Sequence, residues 1–183
     1  MPRLNPIDPN KAQGKTKLVL DELQKSLGMT PNIMRTLANS PAALEAYVGL
    51  LEALGGAGID AKTREAIALA TSGANGCDYC AAAHTALGKM QGLTDAETTA
   101  NLIGHSAEPA RAAALRFARA VVDKRGWVSD RDLEAVRAAG FGDAEITEII
   151  ATVAATIFSN YFNHVAETDI DFPAVTAGDS QAA

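Results

Sequence analysis

Cysteine is nearly missing from this sequence, with two in 183 residues. Two cannot build a disulfide framework, which excludes a small cross-linked extracellular scaffold. Positive charge is also thin: 16 lysines and arginines face 22 aspartates and glutamates, for a net charge of −6. A phosphate-binding surface needs clustered Lys and Arg. No such cluster occurs, so no nucleic acid partner is expected. Long apolar runs are lacking too. A membrane span needs roughly 18 to 20 apolar residues in succession. The nearest candidate, 146–162, is interrupted by Glu148, Asn160 and several threonines. It reads as a buried helix or a subunit interface, and no membrane association is expected. Residues 1–10 hold Pro2, Pro6 and Pro9 without an apolar run, unlike a secretory signal. A cytoplasmic protein is the expectation.

Strand signal is almost absent, and aromatics make up 5% of the chain. What the chain does have is alanine, the best helix former, within a hydrophobic content of 48%. That content suffices for a real core at this length. The fold class expected is all-α, in a single domain over 1–183 with its core at roughly 16–173. Helix punctuation recurs throughout. A helix is expected from Thr16 to Leu27, closed by Gly28, and Pro31 opens a short second one. Ser40-Pro41 starts a helix to about Leu54, and Asp60 caps the next. Asn75-Gly76 marks a turn, after which a helix runs to about Gly92. Thr94 with Glu97 forms a capping-box pattern. Ser106 with Pro109 begins a helix to Lys124, Ser129 caps one ending at Gly140, and Asp143 caps the last, to Ala166. The tail after Phe172 is expected to fray, His105 to lie in a loop, and Trp127 to anchor the core.

A shift of 80 residues sets Glu65 on Glu145 and His84 on His164, which suggests two related helical units. Ile157 and Asn160 then stand where the first unit has Cys77 and Cys80. Only the first unit, roughly 41–92, can do thiol chemistry. Glu145 and His164 read as structural or interface residues.

Both cysteines fall in one segment, Cys77-Asp78-Tyr79-Cys80-Ala81-Ala82-Ala83-His84, with Glu65 upstream. Helical positions i, i+3 and i+7 share a face, so Cys77, Cys80 and His84 align. After Asn75-Gly76 the cysteines fall in a helix's first turn, where free N–H groups and the helix dipole favour a thiolate. A second thiol three residues away can condense with an oxidised sulfur. A carboxylate at Glu65 can fix the tautomer of His84 and relay a proton. The same residues admit other readings: two buried structural thiols, or a zinc site on Cys77, Cys80, His84 and Glu65.

The pattern Glu65, Cys77, Cys80, His84, with the apolar helix between, resembles the carboxymuconolactone decarboxylase superfamily, and within it the AhpD-like alkylhydroperoxidases. The ending Asn160-Tyr161-Phe162-Asn163-His164-Val165-Ala166 and Asp171-Phe172-Pro173 resembles its peroxidase-related members. The resemblance implies an AhpD-like helical bundle assembled as a trimer or hexamer. It implies an oxidoreductase of antioxidant defence that reduces hydroperoxides with no flavin, haem or metal cofactor. Cys80 would attack the peroxide, Cys77 would resolve it to a disulfide, and Glu65 with His84 would activate Cys80. A separate thiol or dithiol protein would reduce the disulfide. Tyr79 stands where well-known members carry a histidine, which suggests a supporting role and a shorter relay. The decarboxylase branch, acting on a lactone by proton transfer, is the alternative.

Overall fold

The computed structural model describes residues 1–178. Among the described residues there are nine α-helices and no strand. They are α1 (Gly14–Leu27), α2 (Asn32–Leu37), α3 (Pro41–Gly55), α4 (Ala61–Asn75), α5 (Asp78–Met90), α6 (Asp95–Leu102), α7 (Pro109–Asp123), α8 (Asp130–Ala138) and α9 (Asp143–Ala166). None of them is long and apolar enough to cross a membrane.

Local chemistry sets most of these boundaries. Ser40 Oγ accepts from the Ala43 N–H, and Asp60 Oδ1 accepts from the Thr63 N–H at 3.0 Å. Thr94 with Glu97 and Ser129 with Asp132 form reciprocal capping boxes. Each such cap contributes about 1 kcal/mol. Two caps differ from expectation. Pro109 occupies the first position of α7 and assigns the cap to Glu108, whose carboxylate accepts from the Ala110 and Arg111 N–H groups. Ser106 only braces Glu108. At α9 the cap is Gly142, held by Glu145 Oε2 at 2.9 Å, while Asp143 lies inside the first turn beside Arg137.

The α4 helix runs through the middle of the molecule, packed by α5, α6, α7 and α9. Every residue from Ala66 to Gly73 is buried, as expected of a helix surrounded on all sides. Its small side chains permit that approach. A Cβ on Gly73 would collide with the carbonyl oxygen of Leu102. One apolar cluster joins α4 to α7, α8 and α9 through Ile67, Leu115, Val136 and Ile149. A second gathers Leu20, Met34, Leu44 and Tyr47 around Cys77 and Cys80.

Two further expectations are corrected. Trp127 is 88% exposed, because Arg125 and Gly126 take left-handed conformations (φ 52° and 86°) that turn the chain outward. The tail does not fray through Gly178. Asp171 Oδ2 accepts from the Asn32 N–H at the start of α2, and Asp78 Oδ1 accepts from the Ala177 N–H. These carboxylates tie the tail across the starts of α2 and α5. Residues 179–183 lie outside the described part.

Candidate active site

Gly76 takes a left-handed conformation (φ 66°) and its N–H bonds back to the last turn of α4. The chain reverses there, so α4 and α5 form a hairpin with both cysteines at its closed end. Cys77 is the N-cap of α5 and Cys80 its third residue. Both thiols are free and buried, at 1% and 2% exposure. His84 follows Cys80 by one turn, and its Nδ1 donates to Glu65 Oε2 on α4 at 2.8 Å. The expected quartet is therefore a physical cluster.

A cavity of about 260 Å³ opens beside it. Cys80, His84 and Glu65 line this space, whereas Cys77 does not. The remaining wall is mainly apolar, with Met34, Tyr47, Leu51, Leu87 and Phe172 contributing. With Nδ1 held by the carboxylate, Nε2 is the His84 atom left for chemistry.

The electrostatics separate the two sulfurs. The Cys77 thiol beside it pulls the Cys80 pKa down to about 6, against burial and with help from His84. Cys77 moves the other way, well above the ordinary thiol range, because it faces the Cys80 sulfur and is itself desolvated. For His84, burial opposes the charged form. The Glu65 carboxylate and the Cys80 sulfur outweigh it and raise the imidazole above its usual value. Both shifts act toward the charged forms, an imidazolium beside a Cys80 thiolate.

Tyr79 lines the cavity wall, but its hydroxyl is committed elsewhere. It donates to Asp171 Oδ1 at 2.7 Å and accepts from the Ile33 N–H at 3.1 Å. Burial further raises its pKa, well beyond the ordinary tyrosine range. Its ring meets Phe172 edge-on. Tyr79 is a strut between α2, α5 and the tail. Glu145 caps α9, and His164 lies exposed beside Tyr161, so these two do not repeat the Glu65–His84 pair. Among the described residues, no three His, Cys, Asp or Glu side chains converge as a metal-holding group.

Sequence reasoning missed two partners of Cys80 on α9. The Cys80 thiol donates to Ser159 Oγ at 3.6 Å, and Asn163 Nδ2 donates to Cys80 Sγ at 3.3 Å. The signal was present in the sequence. Thr152, Thr156, Ser159, Asn160 and Asn163 recur at helical spacing within an otherwise apolar stretch, and all five are buried.

Residues 41–124 match the carboxymuconolactone decarboxylase family. The described fold is similar over nearly its whole length to a peroxidase-related protein with an alkylhydroperoxidase AhpD core from Ralstonia eutropha JMP134. That match has 28% identity and TM-score 0.83, covering 93% of this chain and 92% of the other. The all-helical fold of this chain is AhpD-like. A peroxidase-related protein from Silicibacter sp. TM1040 shares that fold at 21% identity and TM-score 0.81, covering 98% of this chain and 97% of the other. So does a cysteine-to-alanine variant of the debrominase Bmp8 in complex with 2,3,4-tribromopyrrole, at 22% identity and TM-score 0.80, covering 92% and 91%. No curated protein sequence matches. The family match over residues 41–124 and the AhpD-core relative support a peroxidase-related role.

Proposed function

We propose that this protein is a thiol-dependent peroxidase that reduces organic hydroperoxides through Cys80 and Cys77. The observation that carries the reading is the asymmetry of the pair: Cys80 faces the cavity with a lowered pKa, while Cys77 lies outside the lining with a raised one. The Cys80 thiolate attacks the outer peroxide oxygen and the O–O bond breaks. The leaving alkoxide takes a proton from the His84 imidazolium, giving an alcohol and a Cys80 sulfenic acid. Glu65 holds His84 in place and favours its charged form. The Cys77 thiol then attacks the sulfenic sulfur, releasing water and forming the disulfide. An external dithiol returns two electrons and two protons. Cysteines three apart at a helix start lie within disulfide reach.

The test is peroxide consumption with a dithiol reductant in excess. Cys80→Ser should abolish it, and Cys77→Ser should stop after one turnover with a sulfenic acid on Cys80. Wild-type turnover by Cys80→Ser would overturn the mechanism.

The apolar cavity supports a second reading, reductive dehalogenation of a halogenated heterocycle. There the dithiol supplies two electrons and two protons, C–Br becomes C–H, and bromide and a proton leave with the disulfide formed. Bromide release from a bromopyrrole without hydroperoxide consumption would select it. Survival of activity without either cysteine would instead favour proton transfer by Glu65 and His84, as in the decarboxylase branch.

A further inference from the structure

We infer that Asn163 is a positioning residue that holds Cys80 as a thiolate by donating its side-chain N–H to the sulfur. This rests on the reading that Cys80 is the reacting sulfur.

The buried polar stripe of α9 contains residues of two kinds. Thr152, Thr156 and Ser159 return their hydroxyl protons to carbonyls of their own helix. Asn160 uses both ends of its amide, accepting from Asn75 Nδ2 and donating to Ser72 Oγ. Asn163 differs. Its Nδ2 donates to Cys80 Sγ, and its Oδ1 is buried with no hydrogen-bond partner. A buried amide oxygen without a partner is a standing cost. Only the sulfur repays the placement of this side chain.

Ser159 and Asn163 reach Cys80 with different donors. Ser159 has one proton, which goes to the Thr156 carbonyl at 2.9 Å. In that orientation the hydroxyl accepts from the Cys80 thiol; turned toward the sulfur, it too favours the thiolate. An amide N–H pointed at sulfur suits the anion, because a thiolate accepts far more strongly than a thiol. A hydrogen bond to the charged form favours that form. The mount is firm, since the Asn163 carbonyl accepts from the Glu167 and Thr168 N–H groups that close α9.

Other groups also act on the sulfur. Cys77 faces it from the α4–α5 turn, His84 and Tyr79 from α5, Tyr47 from α3, and Ser159 and Asn160 from α9, with Glu65 of α4 behind His84. None of these is altered by a change at Asn163, so a variant there isolates one donor.

The experiment follows alkylation of Cys80 by iodoacetamide against pH, with the modified peptide quantified by mass spectrometry. It reads the thiolate directly and needs no peroxide. A failure of the peroxidase reading therefore leaves it interpretable. Asn163→Leu removes the donor at similar volume and should raise the Cys80 midpoint by about one pH unit. Below the midpoint this is a tenfold loss of thiolate. Asn163→Asp places a carboxylate against the sulfur and should raise it further. If Asn163→Leu does not fold, Asn163→Ala gives the same reading with less crowding. A midpoint equal to wild type in a folded Leu or Ala variant overturns the inference, as does a lower midpoint in Asn163→Asp.

Discussion

Replacing Glu65 by glutamine tests the relay without disturbing its shape. Glu65 and His84 are 21% and 18% exposed at their side chains, so solvent screens their contact only partly. Burial alone would lower the His84 pKa, and the carboxylate reverses this. Hydrogen bonds to charged groups contribute about 1.5–3 kcal/mol, against about 1 kcal/mol for neutral ones. Losing the difference moves His84 down by roughly one pH unit, at about 1.4 kcal/mol per unit. The sign follows from the mechanism. The reaction needs the thiolate, present above the Cys80 pKa of about 6, and the imidazolium, present below the raised His84 value. The rate should therefore rise with pH through about 6 and fall as His84 loses its proton. In Glu65→Gln the alkaline limb should shift about one unit toward acid. The rate above neutrality should drop about tenfold, with smaller loss near the optimum. Single-turnover reaction of the reduced protein with an organic hydroperoxide, quenched and quantified across the neutral range, gives both limbs. An alkaline limb unmoved in a folded Glu65→Gln protein would refute the relay.

Other consequences can be measured directly. Tyr79→Phe removes the hydroxyl from Ile33 and Asp171 and should destabilise by about 2 kcal/mol; chemical denaturation measures this, and single-turnover peroxide reduction should stay within about threefold of wild type. Gly73→Ala drives a methyl into the Leu102 carbonyl and should cost at least about 3 kcal/mol; Gly76→Ala, strained by its left-handed backbone, should cost about 1 kcal/mol. The exposed Ile150, Tyr161 and Val165 of α9 are the surface on which we expect the chain to self-associate; light scattering should report a multiple of 19.0 kDa, reduced by Tyr161→Asp, and a monomeric wild type would contradict this.

Much of this site was legible because its logic is local. Gly76 breaks the helix, Cys77 and Cys80 fall in the next turn, and His84 follows at helical spacing. All three facts are set within ten residues of chain. Caps such as Asp60 and Thr94 were legible for the same reason. Pairing Glu65 with His84 required the hairpin, and the resemblance to AhpD-like proteins supplied it before geometry did. The unread features depend on distant partners. Tyr79 could be placed beside the cysteines, but the commitment of its hydroxyl depends on Asp171, far along the chain. The tail looked unanchored because its anchors, Asn32 and Asp78, sit on other elements. Trp127 looked like core because tryptophan usually is, while the left-handed pair before it directs it outward. The α9 stripe was visible as polar residues, but only packing against α5 reveals Asn163 as a partner of sulfur.

The most direct measurement is peptide mapping by mass spectrometry, before and after one equivalent of an organic hydroperoxide. The account predicts loss of two hydrogens and a Cys77–Cys80 disulfide in the wild type, with sulfenic acid trapped on Cys80 in Cys77→Ser. Two thiols that stay free and unreactive, or a sulfenic acid that forms on Cys77 instead, would contradict it.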